Sequence, residues 1–104
     1  MRSDDRTRFP LDAAFITTFC EKWRIRELSL FGSVLRSDFS TTSDIDILVE
    51  FEDGAGWSLF DLIDVSDELK RELGRDVHLV EKEGLRNPYR RREILDHREI
   101  LYVA

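Results

Sequence analysis

The sequence predicts an α/β (α+β) fold in which helices pack on a small mixed β-sheet. Apolar residues recur at helical spacing in residues 13–23 and 58–73, and Asn87-Pro88 marks the start of a further helix. Short apolar or alternating runs of strand length lie at residues 28–31, 44–51 and 75–80. The predicted order of elements is helix, strand, short helix, strand, helix, strand, helix. This order predicts a layer of strands covered by helices.

Length and composition favour one folded unit. A chain of 104 residues with 41% hydrophobic residues builds one modest core, and we expect a flexible arm over residues 1–10 and a single domain over residues 11–104. No apolar run approaches the roughly twenty residues of a membrane helix, and no secretory signal is visible. A single cysteine gives no disulfide framework, so we expect a cytoplasmic protein without membrane contact.

The charge of the chain argues against nucleic acid as a direct partner. A net charge of −6 disfavours direct nucleic-acid binding, which depends on a basic surface, and favours a basic protein partner in a hetero-oligomer. Arginines nevertheless gather near the C-terminus, at Arg86, Arg90, Arg91, Arg92 and Arg98. They are typical of a solvated helix face, and a binding patch is the alternative.

The first helix and strand lead to a turn. The helix is expected to begin near residues 10–12 and to bury Cys20, which lacks the surroundings of a reactive cysteine. The strand over residues 24–31 ends at Gly32-Ser33, followed by a short helix over residues 33–37. Because glycine permits close approach and a helix N-terminus offers free N–H groups, this turn predicts a phosphate site.

The second strand carries two carboxylates. Side chains alternate between the faces of a strand, so Asp44 and Asp46 project together while Ile45, Ile47 and Val49 point into the core. Two like charges on one face are unfavourable unless a cation or water offsets them. Carboxylates combined with substrate phosphates are ligands typical of Mg²⁺.

The remaining elements are expected to support this centre. The helix over residues 58–73 ends at Gly74 and shows a wide stripe predicted to be core, made of Leu59, Leu62, Ile63, Leu69 and Leu73 with Phe60 and Val65 beside it. Trp57 either packs locally or lines a nucleotide or partner surface. The apolar run over residues 100–103 is expected to pack on the domain or on a second chain.

Gly32-Ser33, ten residues and then Asp44-x-Asp46 form a GS-x10-DxD pattern. It resembles the minimal nucleotidyltransferases (MNT) of the DNA polymerase β-like superfamily, most closely the antitoxins that accompany HEPN-domain toxins. The resemblance implies that the chain transfers AMP from ATP to a tyrosine of a cognate toxin, with Mg²⁺ as cofactor. It further implies catalytic and metal-binding roles for Asp44 and Asp46, and nucleotide binding by Gly32, Ser33, Arg36 and Ser43.

The sequence departs from the family pattern at Ser37, where the family often has glycine, and more consequentially at His78. Relatives have an aspartate at this place in a V-D-L-V-like run, where a third carboxylate lies near the metal, whereas this chain has Val77-His78-Leu79-Val80. A histidine still serves as a base but gives less charge to a second Mg²⁺. Asp76 is an alternative third carboxylate if the strand is shifted.

Three other functions remain open from the sequence. The first is an antitoxin that has lost catalysis and neutralises its toxin by binding alone, which the His78 substitution favours. The second is transfer to a small molecule or an RNA end, although the chain has no second domain to form such a pocket. The third is self-modification at Tyr89 or Tyr102.

Overall fold

The computed structural model describes residues 13–32 and 44–104, which form a four-stranded sheet with helices on both faces. Its strands are β1 (Ile25–Phe31), β2 (Ile45–Phe51), β3 (Val77–Glu81) and β4 (Glu99–Val103). They lie in the order β3-β2-β1-β4, with β1 antiparallel to β2 and β4, and β2 parallel to β3. The predicted small mixed sheet is confirmed.

Helices cover both faces of this sheet within the described residues. They are α1 (Ala13–Lys22), α2 (Leu59–Leu73) and α3 (Pro88–His97), and a short 3₁₀ turn (Lys82–Gly84) joins β3 to α3. Each predicted strand and each of these helices is found within a few residues of its expected bounds. The N-terminal arm, the expected start of the first helix and the short helix over residues 33–37 lie outside the described residues.

Local signals account for both ends of α2. The Ser58 hydroxyl accepts a hydrogen bond from the Asp61 N–H, and the Asp61 carboxylate accepts one from the Ser58 N–H, which forms a capping box. Gly74 ends the helix in the left-handed conformation, with φ of 69°. The predicted glycine cap is therefore confirmed.

The core of the first face lies between the sheet and helices α1 and α2. Alternate residues of β2 point into it, as the sequence predicts, and they meet Phe19 and Cys20 of α1 and a buried row of α2. That row consists of Val65, Leu69 and Leu73. Cys20 is fully buried, so its predicted place in the core is confirmed.

The second face is covered by α3. Phe31 of β1 and Leu48 of β2 are buried there together with Ile94 of α3 and with Leu85, which directly follows the 3₁₀ turn. Asp46 lies on this side, because its neighbours Ile45 and Ile47 point into the first core. The strand residues that bear the candidate chemistry thus share a face with α3.

Two expectations need correction. Leu59, Phe60 and Ile63 are 70%, 78% and 48% exposed, so the α2 stripe is wider than the part of it that is core. Helical spacing locates an apolar face without showing how much of it is covered. The C-terminal run, which was expected to pack on the domain or on a second chain but was not assigned as a strand, is a strand, β4, hydrogen-bonded beside β1.

Candidate functional site

Gly32 follows the last residue of β1 and lies against Asp46. Its φ of +79° is in the left-handed region that favours glycine, and a Cβ added here would overlap Oδ2 of Asp46. The strand pairing explains this closeness, because Phe31 is the register partner of Asp46. Glycine at this position therefore lets the chain turn directly against a carboxylate.

Asp46 contacts His78 on its other side. The two residues are register partners in the parallel pair β2 and β3, and Nδ1 of His78 lies 3.1 Å from Oδ1 of Asp46. The Asp46 side chain is 23% exposed and that of His78 58%, so the imidazole lies at the open side of the pair. The two oxygens of Asp46 thus have different neighbours, Gly32 and His78.

Asp44 and Asp76 lie at the same end of the sheet. Asp44 directly precedes β2 and is exposed, and the N–H of Ile45 donates to the carbonyl of Asp76 over 3.0 Å. This bond fixes the start of β3 beside the start of β2. His78, not Asp76, is the register partner of Asp46, so the strand is not shifted to bring Asp76 into that place.

The predicted site residues are therefore brought together in part. Gly32, Asp46 and His78 form one cluster, and Asp44 stands two residues before Asp46 at its edge. Ser33, Arg36 and Ser43, the remaining predicted nucleotide-binding residues, lie outside the described residues.

The donor set fits one Mg²⁺ better than two. Among residues 13–32 and 44–104, no group of three or more histidine, cysteine or acidic side chains is arranged to hold a metal ion. Asp44 and Asp46 are two carboxylates, which is what Mg²⁺ commonly takes from a protein when substrate phosphates complete its coordination. The resemblance places a third carboxylate where this chain has His78, and an imidazole nitrogen suits Mg²⁺ less well than oxygen.

A charged cluster that sequence reasoning missed lies on the same face as Asp46. Glu27 of β1 accepts hydrogen bonds from Arg98 Nε over 2.6 Å and from Ser29 Oγ over 3.0 Å. Lys82 Nζ lies 3.7 Å from Glu27 and 3.3 Å from Glu50. The cluster joins β1 and β2 to the segments that flank α3.

The surroundings of Glu27 determine its ionisation. Burial acts to raise the pKa of its carboxyl, but the hydrogen bonds from Arg98 and Ser29 and the charges of Arg98 and Lys82 outweigh burial and lower the pKa. Glu27 is thus held as a carboxylate. Glu27 and Ser29 alternate with apolar residues in β1, and this spacing was the available signal that polar groups share one inner face.

Comparison with known proteins supports the fold described above and identifies a family. The nucleotidyltransferase domain family matches residues 13–101. The protein adenylyltransferase MntA of Thermococcus cleftensis is 36% identical over 83 residues, which are 80% of this chain and 79% of that protein. MJ1379 of Methanocaldococcus jannaschii, described as a candidate protein adenylyltransferase, is 32% identical over 83 residues, 80% of this chain and 81% of its own length.

Solved structures support the fold at lower identity. A toxin–antitoxin complex with AMP-PNP matches with a TM-score of 0.70 and 21% identity, over 90% of this chain and 75% of the matched one. A tri-AMPylated HEPN toxin of Shewanella oneidensis in complex with MNT antitoxin matches with a TM-score of 0.62 and 19% identity, over 88% of this chain and 70% of the matched one. No helix in the described parts of the chain is long and apolar enough to cross a membrane. With its polymerase β-like sheet and a family match that spans nearly its whole length, the chain belongs to the nucleotidyltransferase domain family, among the relatives of MntA.

Proposed function

We propose that this chain is an antitoxin that transfers AMP from ATP to a tyrosine of a cognate HEPN-domain toxin. The observation that carries the proposal is the cluster in which the Asp46 carboxylate lies between the Gly32 turn and His78. The name of the Thermococcus relative and the AMPylated toxin in the Shewanella complex support protein as the acceptor and AMP as the group transferred. The complex with AMP-PNP supports an ATP-like donor.

In this proposal the transfer is a single displacement at the α-phosphorus of ATP. The tyrosine oxygen forms a bond to that phosphorus, the bond to the bridging oxygen of the β-phosphate breaks, and pyrophosphate leaves with the electron pair. The phenolic proton passes to the free ring nitrogen of His78, whose Nδ1 is directed at Asp46. Asp46 thereby orients the imidazole, as a carboxylate commonly does for a histidine base.

Asp44 and Asp46 are the residues that would hold Mg²⁺, and the lack of a side chain at Gly32 lets the Asp46 carboxylate lie directly against the turn. The ion, when bound, neutralises the charge that develops on the phosphate oxygens during displacement. His78 contributes a proton acceptor in place of a third carboxylate. We therefore expect a slower enzyme than a relative with aspartate at this position, working with one firmly held ion.

The test is transfer of label from α-labelled ATP, in the presence of Mg²⁺, to a co-expressed HEPN-domain protein whose gene is adjacent to that of this chain. Wild type should label that protein, and labelling should disappear in the Asp44→Ala/Asp46→Ala double variant. Replacing the partner's tyrosines one at a time then identifies the acceptor. Label on a small molecule or on RNA in the absence of the partner would contradict a protein acceptor.

A second function is favoured by the same contact between His78 and Asp46. Because the imidazole occupies the side of Asp46 on which a third carboxylate would complete the metal site, the chain would then neutralise its toxin by binding alone. A stable complex without label in wild type, and label gained with His78→Asp, would establish this alternative. Label in wild type excludes it.

A further inference from the structure

The first two turns of α2 expose a contiguous apolar surface. Leu59, Phe60 and Ile63 are 70%, 78% and 48% exposed, and helical spacing places Leu59 one turn from Ile63 with Phe60 beside them. We call these three side chains the α2 patch. Single exposed apolar residues are ordinary, but three neighbouring large ones on one helix face mark a candidate contact surface.

The α2 patch belongs to a firmly held part of the fold. The capping box at Ser58 closes the helix start, and Trp57 Nε1 donates to the Trp23 carbonyl over 2.6 Å. Further along α2, Glu68 accepts a hydrogen bond from Trp23 Nε1 over 3.0 Å and pairs with Lys22 over 2.7 Å. A partner that docks here therefore meets a surface already ordered, which lowers the entropic cost of binding.

The charges beside the α2 patch limit what can cover it. Asp64 and Asp67 are exposed and lie one turn after Phe60 and Ile63, on the same side of the helix. Lys70 and Arg71 follow only in the last turn. If a second copy of this chain docked on the patch, equivalent carboxylates would come together. Each copy also carries a net charge of −6, so the two copies would repel each other. A partner with an apolar contact surface and basic residues around it is complementary.

The α2 patch also lies apart from the candidate site. The start of α2 is tied to Trp23, and Glu52 at the end of β2 bonds to Arg24, whereas Asp46 lies near the beginning of β2. Phe51 is the fifth residue after Asp46 along β2, at a distance of about 17 Å. Moreover, α2 covers the first face of the sheet and Asp46 is on the second. A protein bound to the patch leaves the Asp46 and His78 pair open.

From these observations we infer that the α2 patch is the surface that holds the toxin through an apolar contact ringed by basic side chains. The inference rests on the proposed function for the identity of the partner. Because the patch and the Asp46 and His78 pair lie on opposite faces of the sheet, binding of the toxin and transfer of AMP depend on different residues and can be tested separately.

The test uses calorimetry to measure how variants of this chain bind the same HEPN-domain protein that serves in the labelling assay. Phe60→Ser/Ile63→Ser should raise Kd by about tenfold or more, as expected when central apolar contacts are lost. Asp64→Lys/Asp67→Lys should also weaken binding and reduce its dependence on salt. The matched control is Tyr89→Ser, which removes a side chain that is 84% exposed but lies on α3, and it should leave Kd unchanged.

Three results would overturn the inference. One is an unchanged Kd for Phe60→Ser/Ile63→Ser when circular dichroism shows a folded helix; another is an equal loss with Tyr89→Ser. The third is a dimer of the chain alone that Phe60→Ser/Ile63→Ser dissolves, since the occupant would then be a second copy. The Asp44→Ala/Asp46→Ala variant keeps the two proposals apart: it should bind normally without transferring AMP, and wild type that binds without transfer would reject only the proposed activity.

Discussion

Nδ1 of His78 lies 3.1 Å from Oδ1 of Asp46, across the parallel pair of β2 and β3. In this contact, one oxygen of the Asp46 carboxylate already has the His78 imidazole as its partner. The other oxygen lies against Gly32. Any ligand of Asp46 must therefore share it with the imidazole, and the substitution of His78 is the most informative change in the site.

We expect His78→Asp to increase AMP transfer by about tenfold and His78→Ala to decrease it by about a hundredfold. Aspartate keeps a proton acceptor and adds an oxygen ligand beside Asp46, while alanine removes the base. The measurement is the initial rate of labelling at saturating ATP and Mg²⁺. His97→Asp, at an exposed histidine of α3 that bonds to the Glu93 carbonyl, is the control and should have wild-type activity. A fully active His78→Ala would remove His78 from the reaction.

Gly32→Ala should abolish transfer and destabilise the fold by about 1–2 kcal/mol, since a Cβ strains the left-handed conformation. The same Cβ would push the Asp46 carboxylate away from its place. Thermal unfolding and the labelling assay measure the two effects separately. Gly84→Ala is matched to it, because an added Cβ there meets nothing within 4 Å, and it should change neither stability nor rate.

Glu27→Gln should lower stability at neutral pH by about 1–3 kcal/mol, because the partly buried Arg98 loses its ionised partner. Because the pKa of Glu27 is lowered in the folded protein, the stabilisation that its carboxylate provides depends on pH. A carboxylate stabilised in the fold contributes fully above its unfolded pKa, about 4.3, and the contribution is lost as pH falls through the folded value.

Denaturant unfolding of wild type and Glu27→Gln between pH 7 and pH 3 checks this prediction. The difference in unfolding free energy should shrink below about pH 4.3. Glu72→Gln, at an exposed position of α2, should show no difference at any pH. A constant difference between wild type and Glu27→Gln over the whole range would contradict the assigned role of the charge.

Cys20 should resist thiol reagents in the folded protein. It is fully buried, and burial raises the pKa of its thiol to about 12, so almost no thiolate exists at pH 8. Labelling with a chromogenic disulfide should proceed only as fast as the protein opens, and should be rapid in denaturant. Immediate labelling of the native protein would show that α1 does not pack Cys20 against the sheet as described.

Most of the fold is predictable because its signals are local. Alternation identifies β2 and β3, and the capping serine and terminal glycine bound α2. What cannot be obtained this way depends on distant contacts. The strand character of residues 99–103 comes from pairing with β1, and the exposure of Phe60 depends on which part of α2 the rest of the fold covers.

The candidate site, like the fold, could be predicted from the sequence only in part. The spacing of Gly32 and Asp46 identifies the two residues, and the alternation of β3 puts His78 on the correct face. Sequence reasoning missed the cluster around Glu27, because its partner Arg98 is 71 residues away. Two residues so far apart in the sequence produce no recognisable periodic pattern. Only the packing of α3 and β4 brings Glu27 and Arg98 together.

The position of β4 next to β1 has a consequence for synthesis of the chain. During translation, β1 and β2 can pair early, but β1 keeps one open edge until residues 99–103 are available. Glu27 likewise waits for Arg98. Until those residues are synthesised, the nascent chain carries an unpaired strand edge and an incompletely satisfied acid. Its vulnerability to proteases and to aggregation should be greatest just before β4 pairs with β1.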